Sequence, residues 1–343
     1  MEIRPRIQSV NVFIKLFKPS RVVVNLDVDN FAVEIGSLKQ VVQCGDFRIK
    51  PSLVTGLTNI DDQVSFRFAT ENPQSVSSYE LLEVDMRSCT ISNPNTTFLS
   101  DSVVYNISCS KCSHLLCDNV QFKRVLPLPE NLDSSDWFCH SHDKFRLTPK
   151  ENEIFYSQCF AYLHPKVLQG LKHENLVLKC DKCDLWLGTL QKDAFKIWFN
   201  TVTFTSNNIK YISCPLSDCL KTVLVDNAPL YSARVVLRCV NNPVEEILLL
   251  WLLEPKLRVK IFSSDGTFEG NVAKVLYKPG CIGSKDVAKW MSDVDITVLD
   301  VSKMMIDKLR EHLIEMSVYI PRDFSNSNGF LVSYIKLCGD FKN

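Results

Sequence analysis

Two Cys-x-x-Cys pairs, Cys109-Ser-Lys-Cys112 and Cys180-Asp-Lys-Cys183, constrain this chain more than any other feature, with 67 residues between them. Four thiolates delivered as two close pairs satisfy a tetrahedral metal ion when each pair sits on a tight chain reversal that presents both sulfurs to one point. The spacing therefore predicts a zinc ion held by Cys109, Cys112, Cys180 and Cys183. Four sulfurs fill its shell and leave no position for a substrate, so the predicted metal is structural. The bland alternative is four unrelated buried cysteines, since free Cys packs as a small hydrophobe; the repeated spacing argues against it. His114 and Cys117 stand near enough in sequence to replace one ligand.

Composition bounds the rest. The chain has 343 residues, 45% hydrophobic and 23% charged, enough to bury sizeable cores in two domains or one elaborated one. Lys plus Arg equals Asp plus Glu at 39 each, so no bulk electrostatic footprint favours direct nucleic-acid binding or an anionic membrane. The opening Met1-Glu-Ile-Arg-Pro-Arg6 lacks a signal-peptide core. The most apolar run, Ile247-Leu-Leu-Leu-Trp-Leu-Leu253, is far below the ~20 residues of a membrane span and predicts a buried strand or short helix. An intracellular setting follows, in which the 14 cysteines are expected as thiols or ligands rather than disulfides. With Gly at 11 and no glycine-rich phosphate loop, nucleotide-driven chemistry is disfavoured.

Along the chain, residues 10–16, 22–28, 31–35 and 64–68 are rich in β-branched and aromatic residues and predict strands of an antiparallel sheet or sandwich. Pro127, Pro129 and Pro149 then punctuate a stretch predicted as a loop or tethered arm. Further strands are expected around 202–204, 235–237 and 328–335. Asp300 is a candidate cap for a helix from Val301 to about Val318, with Met305, Leu309, Leu313 and Met316 on one face. The predicted class is α+β and β-rich. It comprises a β-rich N-terminal domain over 1–123 ending in the first knuckle, an arm over 124–154 and a mixed C-terminal domain over 155–343. The last carries the second knuckle and one late amphipathic helix.

The arm contains Asp136-Trp-Phe-Cys-His140, with His142 beyond. Trp137 and Phe138 can simply anchor the loop. Alternatively, one thiol and two imidazoles close together offer soft and borderline ligands to another protein's metal site. No Ser-His-Asp order or cysteine-protease signature is present. Cys281, in Pro279-Gly-Cys-Ile-Gly283, reads as exposed on a turn with Lys278 and Lys285 nearby; Cys214, Cys219 and Cys338 read as buried.

Taken together, the two knuckles, Leu126-Pro-Leu-Pro129, the Trp-Phe-Cys-His block, Leu178-Lys-Cys-Asp-Lys-Cys183 with Leu187-Gly188, Val275-Leu-Tyr277 and Asn328-Gly-Phe330 resemble the HECT-like, ubiquitin-conjugating-enzyme-binding ubiquitin ligases. The resemblance covers most of the chain from about residue 105. It implies recruitment of a charged conjugating enzyme and ubiquitin transfer to substrates such as cyclin. It also implies a second role as a non-enzymatic inhibitor or assembly factor of the metallo-β-lactamase-type endonuclease of pre-mRNA 3′-end processing. In that role Cys139 would enter the zinc centre with Trp137 and His140 beside it, and the protein would work in cytoplasm and nucleus. One departure stands out: HECT ligases carry their transthiolating cysteine in a Thr-Cys-Phe context, which this chain lacks. No catalytic residue is assigned among Cys239, Cys281 and Cys338.

Overall fold

The computed structural model describes residues 1–4, 7–45, 47–71, 98–128, 148–224, 233–241, 244–263, 266–338 and 341–342. The architecture is β-rich α+β. The described strands form sheets of eleven, seven, four and three strands, with helices α1 (Pro215–Leu224), α2 (Lys285–Met291) and α3 (Lys303–Ser317).

The seven-stranded sheet lies at the middle of the layering, because its strands are apolar on both faces. Val177, Trp186 and Trp198 pack with α1, α3 and the eleven-stranded sheet, whereas Leu178, Cys180, Leu187 and Ile197 pack with the four-stranded sheet. In the eleven-stranded sheet Leu248 and Leu250 face α1 and α3, while Ile247 and Leu249 join Val287 and Trp290 of α2. A strand covered on both faces needs apolar residues at every position. This is why 247–253 reads as an unbroken run, and it settles the strand-or-helix ambiguity: the run lies in the strand Glu246–Ser263.

The expected N-terminal strands form as Ser9–Lys15, Val22–Leu26, Asn30–Ile35 and Gln63–Glu71, in antiparallel pairings. Val22–Leu26 and Asn30–Ile35 form a three-stranded sheet with Leu38–Gln43, whereas Ser9–Lys15 and Gln63–Glu71 belong to the eleven-stranded sheet. Glu2–Arg4 pairs with Ser9–Lys15 on one side and, through Glu2↔Val259 and Ile3↔Arg258, with Glu246–Ser263 on the other. Strands from the first 71 residues thus share the eleven-stranded sheet with strands from beyond residue 233. Pairing between strands some 250 residues apart leaves no trace in local periodicity.

The described ends of the predicted arm, 124–128 and 148–154, include strand where loop was expected. Arg124–Pro127 is a strand running parallel to Glu153–Tyr156, from Arg124↔Glu153 to Pro127↔Tyr156, at one edge of the seven-stranded sheet. The Leu128 N–H continues the ladder to the Tyr156 carbonyl at 2.6 Å, and Arg124 is 3.1 Å from Glu153 Oε1. Pro127 lies in a strand at the sheet edge, where a missing N–H is tolerated.

The late helix forms as expected, with Met305, Leu309, Leu313 and Met316 buried, but its cap is Ser302, whose hydroxyl accepts from the Met305 N–H at 3.1 Å. Asp300 instead ends the strand Thr297–Asp300 and pairs with Arg238 at 2.8 Å. Helices α1 and α2 were not anticipated. The signal for α1 was present: Pro215 opens it, and Leu216, Cys219, Leu220 and Val223 follow helical spacing. Cys219 is buried there as expected, but Cys214 is exposed.

Candidate metal centre

Each knuckle closes a β-hairpin. The first joins Val104–Cys109 to Leu115–Gln121 in the four-stranded sheet, and the second joins Val177–Cys180 to Trp186–Gln191 in the seven-stranded sheet. The two turns repeat one another bond for bond. The N–H of Ser113 returns to the Cys109 carbonyl at 2.9 Å, and that of Asp184 to the Cys180 carbonyl at 3.0 Å. The Cys109 N–H reaches the His114 carbonyl at 2.8 Å, and the Cys180 N–H that of Leu185 at 2.9 Å. Ser113 and Asp184 both take left-handed backbone, with φ 57° and 56°, which tightens each reversal so that both sulfurs face the same way.

The sheets then set the turns against each other. Cys109 Sγ lies 3.6 Å from Cys183 Sγ, and Cys112 Sγ 3.7 Å from Cys180 Sγ, with all four sulfurs within 4.8 Å of one another. These separations are far from the ~2.05 Å of a disulfide. They match the edge of about 3.8 Å expected for a tetrahedron of thiolates ~2.3 Å from a central ion. The chain brings together all four sequence-predicted ligands, and they can hold one metal ion.

Electrostatics divide each pair. Cys109 and Cys180 are fully buried, Cys112 and Cys183 half-buried. Burial pushes the Cys109 thiol up to about 12, against backbone N–H groups of Cys112 and Lys111 that favour the thiolate; burial raises Cys180 as well, against those of Cys183 and Lys182. Cys112 is held down to about 7, chiefly by the His114 N–H. Buried thiolates gathered this closely repel one another, and a cation among them removes that penalty.

The alternative ligands find other places. His114 reaches across to the second knuckle, with Nε2 3.1 Å from Asp181 Oδ1, and Cys117 sits opposite Ile107 in the hairpin, outside the group of four sulfurs. Sequence reasoning missed the supports behind the turns. The Ser110 N–H bonds the Thr201 carbonyl and the Asp181 N–H bonds the Gly170 carbonyl, both at 3.1 Å. Gly170 has φ +65°, and a Cβ there would stand 2.5 Å from His114 Nε2. A lone Gly after Gln169 was the available hint of a left-handed turn.

Trp137, Cys139 and His140 lie outside the described residues. Of the other thiols considered, Cys239 is fully buried, which pushes its pKa far up. Cys281 is exposed on the turn before α2, as expected. Its neighbour Lys278 is engaged elsewhere, with Nζ 2.5 Å from Asp286 Oδ2. Cys338 ends the strand Phe330–Cys338.

Among the described residues no helix is long and apolar enough to cross a membrane. Comparison with curated proteins gives no match, and comparison with solved structures gives none. A family described as HECT-like ubiquitin-conjugating enzyme (E2)-binding matches residues 2–332, which spans all four sheets and both knuckles. The chain belongs to the HECT-like ubiquitin-conjugating-enzyme-binding family.

Proposed function

We propose that this protein binds a ubiquitin-conjugating enzyme and promotes ubiquitin transfer to substrates, cyclins among them. The observation that carries the reading is the family match over nearly the whole chain. In this reading the protein positions the charged conjugating enzyme and supplies no thioester relay of its own, consistent with the missing Thr-Cys-Phe tripeptide and the depth of Cys239. The test is discharge of ubiquitin from a panel of charged conjugating enzymes by the purified chain. Faster discharge without a reductant-sensitive adduct on the protein is the expected result. An adduct lost on one Cys→Ser change would replace positioning by covalent relay, and no acceleration with any enzyme would remove the reading.

The metal in this account is zinc, structural, held by Cys109, Cys112, Cys180 and Cys183. An all-thiolate tetrahedral shell suits zinc, which has no redox chemistry to damage its ligands. It would clamp the four-stranded sheet to the seven-stranded one.

A second reading is favoured by the ladder at the root of the arm. Parallel pairing of Arg124–Pro127 with Glu153–Tyr156 holds both ends of the intervening segment at one sheet edge. Such anchoring lowers the entropy lost when that segment inserts into a partner. Cys139, flanked by Trp137 and His140, would then ligate the zinc centre of the pre-mRNA 3′-end cleavage endonuclease and displace its hydrolytic water, in the nucleus as well as the cytoplasm. Cys139→Ala should abolish inhibition of that endonuclease while leaving the melting temperature unchanged. Full inhibition by the variant would end this reading.

A further inference from the structure

A large cavity lies away from the cysteines, between the three-stranded sheet, the strand Ser9–Lys15 and the end of α3, with a volume of about 1540 Å³. It exceeds the ~300–1,000 Å³ usual for a small-molecule pocket and is an open groove. Its floor is apolar, with Val12, Phe31, Val33, Val259 and Ile320 contributing. Its rim keeps large apolar side chains in water: Phe17 is 111% exposed, Leu38 74% and Val318 67%. Several such groups around one concavity are the mark of a surface that another molecule covers.

Charge says what kind of molecule. Lys15, Lys18, Arg21, Lys39, Lys260 and Arg322 line the groove, and no Asp or Glu lines it among the described residues. That one-sidedness is local, because the whole chain has a formal net charge of zero. Lys39 and Lys260 are paired, with Glu34 at 2.9 Å and Glu269 at 3.4 Å. Lys15, Lys18, Arg21 and Arg322 make no ion pair with any carboxylate among the described residues. A second copy of the chain fits poorly, since two-fold pairing through this face would oppose like charges. A planar membrane cannot reach the floor of a concave groove.

We propose that this groove docks an acidic amphipathic peptide segment of a protein partner, its apolar side chains on the floor and its carboxylates against the cationic rim. Phe17 closes over the docked segment as an aromatic anchor, and the four cations without internal carboxylates set its polarity. The site stands apart from the metal centre, and its test does not depend on ubiquitin transfer.

The experiment is selection of a random-peptide library on the full chain, followed by fluorescence polarisation of the best binder at two salt concentrations. Selected sequences rich in Glu or Asp interleaved with Leu, Phe or Trp are expected. Their affinity should fall about tenfold with Phe17→Ala and at least as much with Lys15→Glu/Lys18→Glu, and should weaken as salt rises. Lys166→Glu, on the 3-10 turn Pro165–Val167 outside the groove, should leave affinity unchanged. Far-ultraviolet dichroism of each variant excludes unfolding as the cause of loss. Overturning results are selection of no binder, of binders without acidic residues, or of binders indifferent to Phe17→Ala. Salt-sensitive association with anionic phospholipid vesicles, or a dimer in ultracentrifugation that either groove variant dissolves, would likewise assign the face to another occupant.

Discussion

The Tyr334 hydroxyl donates a 2.6 Å hydrogen bond to Glu2 Oε1, joining residues 332 positions apart. The same carboxylate takes Lys274 Nζ at 2.7 Å and Arg4 Nη2 at 2.8 Å, and Glu2 is 1% exposed. Burial alone would raise its pKa; Lys274 and Arg4, with hydrogen bonds from Lys274 and Tyr334, outweigh burial and hold it below the ordinary 4.5. Removing one partner of a buried, bonded charge leaves the others uncompensated. Glu2→Ala is therefore expected to cost about 3–5 kcal/mol in urea denaturation. The lowered carboxyl gives stability that is present above about pH 4.5 and lost as pH falls through the folded value. Glu2→Gln should flatten that acid limb.

The cysteine cluster makes a quantitative demand. Elemental analysis should find one metal per chain, zinc in the proposed account, and none in Cys180→Ser. Chelation should lower the melting temperature by something on the order of 10 °C, because metal binding at such a site is folding free energy. A chelated protein that melts unchanged would contradict the clamp between the two sheets.

His312 gives a second pH dependence. It is buried on α3, and its Nε2 accepts the Lys336 N–H at 3.1 Å. Burial first, then nearby Lys336, holds its pKa below 6.5 against a smaller raising effect of Glu315. A neutral imidazole in the fold and an ordinary one when unfolded give stability that is whole above about pH 6.5 and declines as pH falls below it. His312→Gln keeps an acceptor without titrating. Its melting temperature should change less than that of wild type between neutral and mildly acidic buffer.

A buried polar relay ties the layers together. Ser302 Oγ donates to Asn200 Oδ1 and Asn200 Nδ2 to Asp218 Oδ2, both at 2.9 Å, linking α3, the turn between Ala194–Trp198 and Val202–Ser206, and α1. Loss of a Ser cap costs about 0.5–2 kcal/mol. Ser302→Ala should sit at the upper end of that range, since Asn200 Oδ1 loses its donor as well. Equilibrium denaturation beside Ser302→Thr, which keeps the hydroxyl, separates the bond from the packing.

Gly170→Ala should destabilise by about 1 kcal/mol or more, from a positive φ and a Cβ placed against His114. Competition with a chromogenic chelator should show weaker metal retention, because the Gly170 carbonyl holds the second knuckle through Asp181. Unchanged retention would mean that the turn keeps its shape without that support.

Much of the fold was legible because its signals are local. The alternation of 64–68, the apolar stripe of α3 and the paired spacing of the four cysteines each follow from a period or a turn. Helix α1 was legible too, from Pro215 and the spacing of Cys219 and Val223, and was missed beside stronger strand signals. The parallel ladder that fixes the root of the arm was not, because a proline such as Pro127 carries the same signature in a loop and at a sheet edge.

The sequence by itself determined that four thiolates come as two pairs, that strands dominate and that α3 buries one face. These are statements about neighbours, set by backbone geometry and side-chain periodicity. Only the tertiary structure decided that the pairs meet with sulfurs 3.6 and 3.7 Å apart, that Glu2 lies beside Tyr334 and Lys274, and that six cations gather on one apolar groove. Each of these depends on which strands pair across tens to hundreds of residues. That choice is made by burial of whole sheet faces, to which every strand contributes and which no single segment encodes.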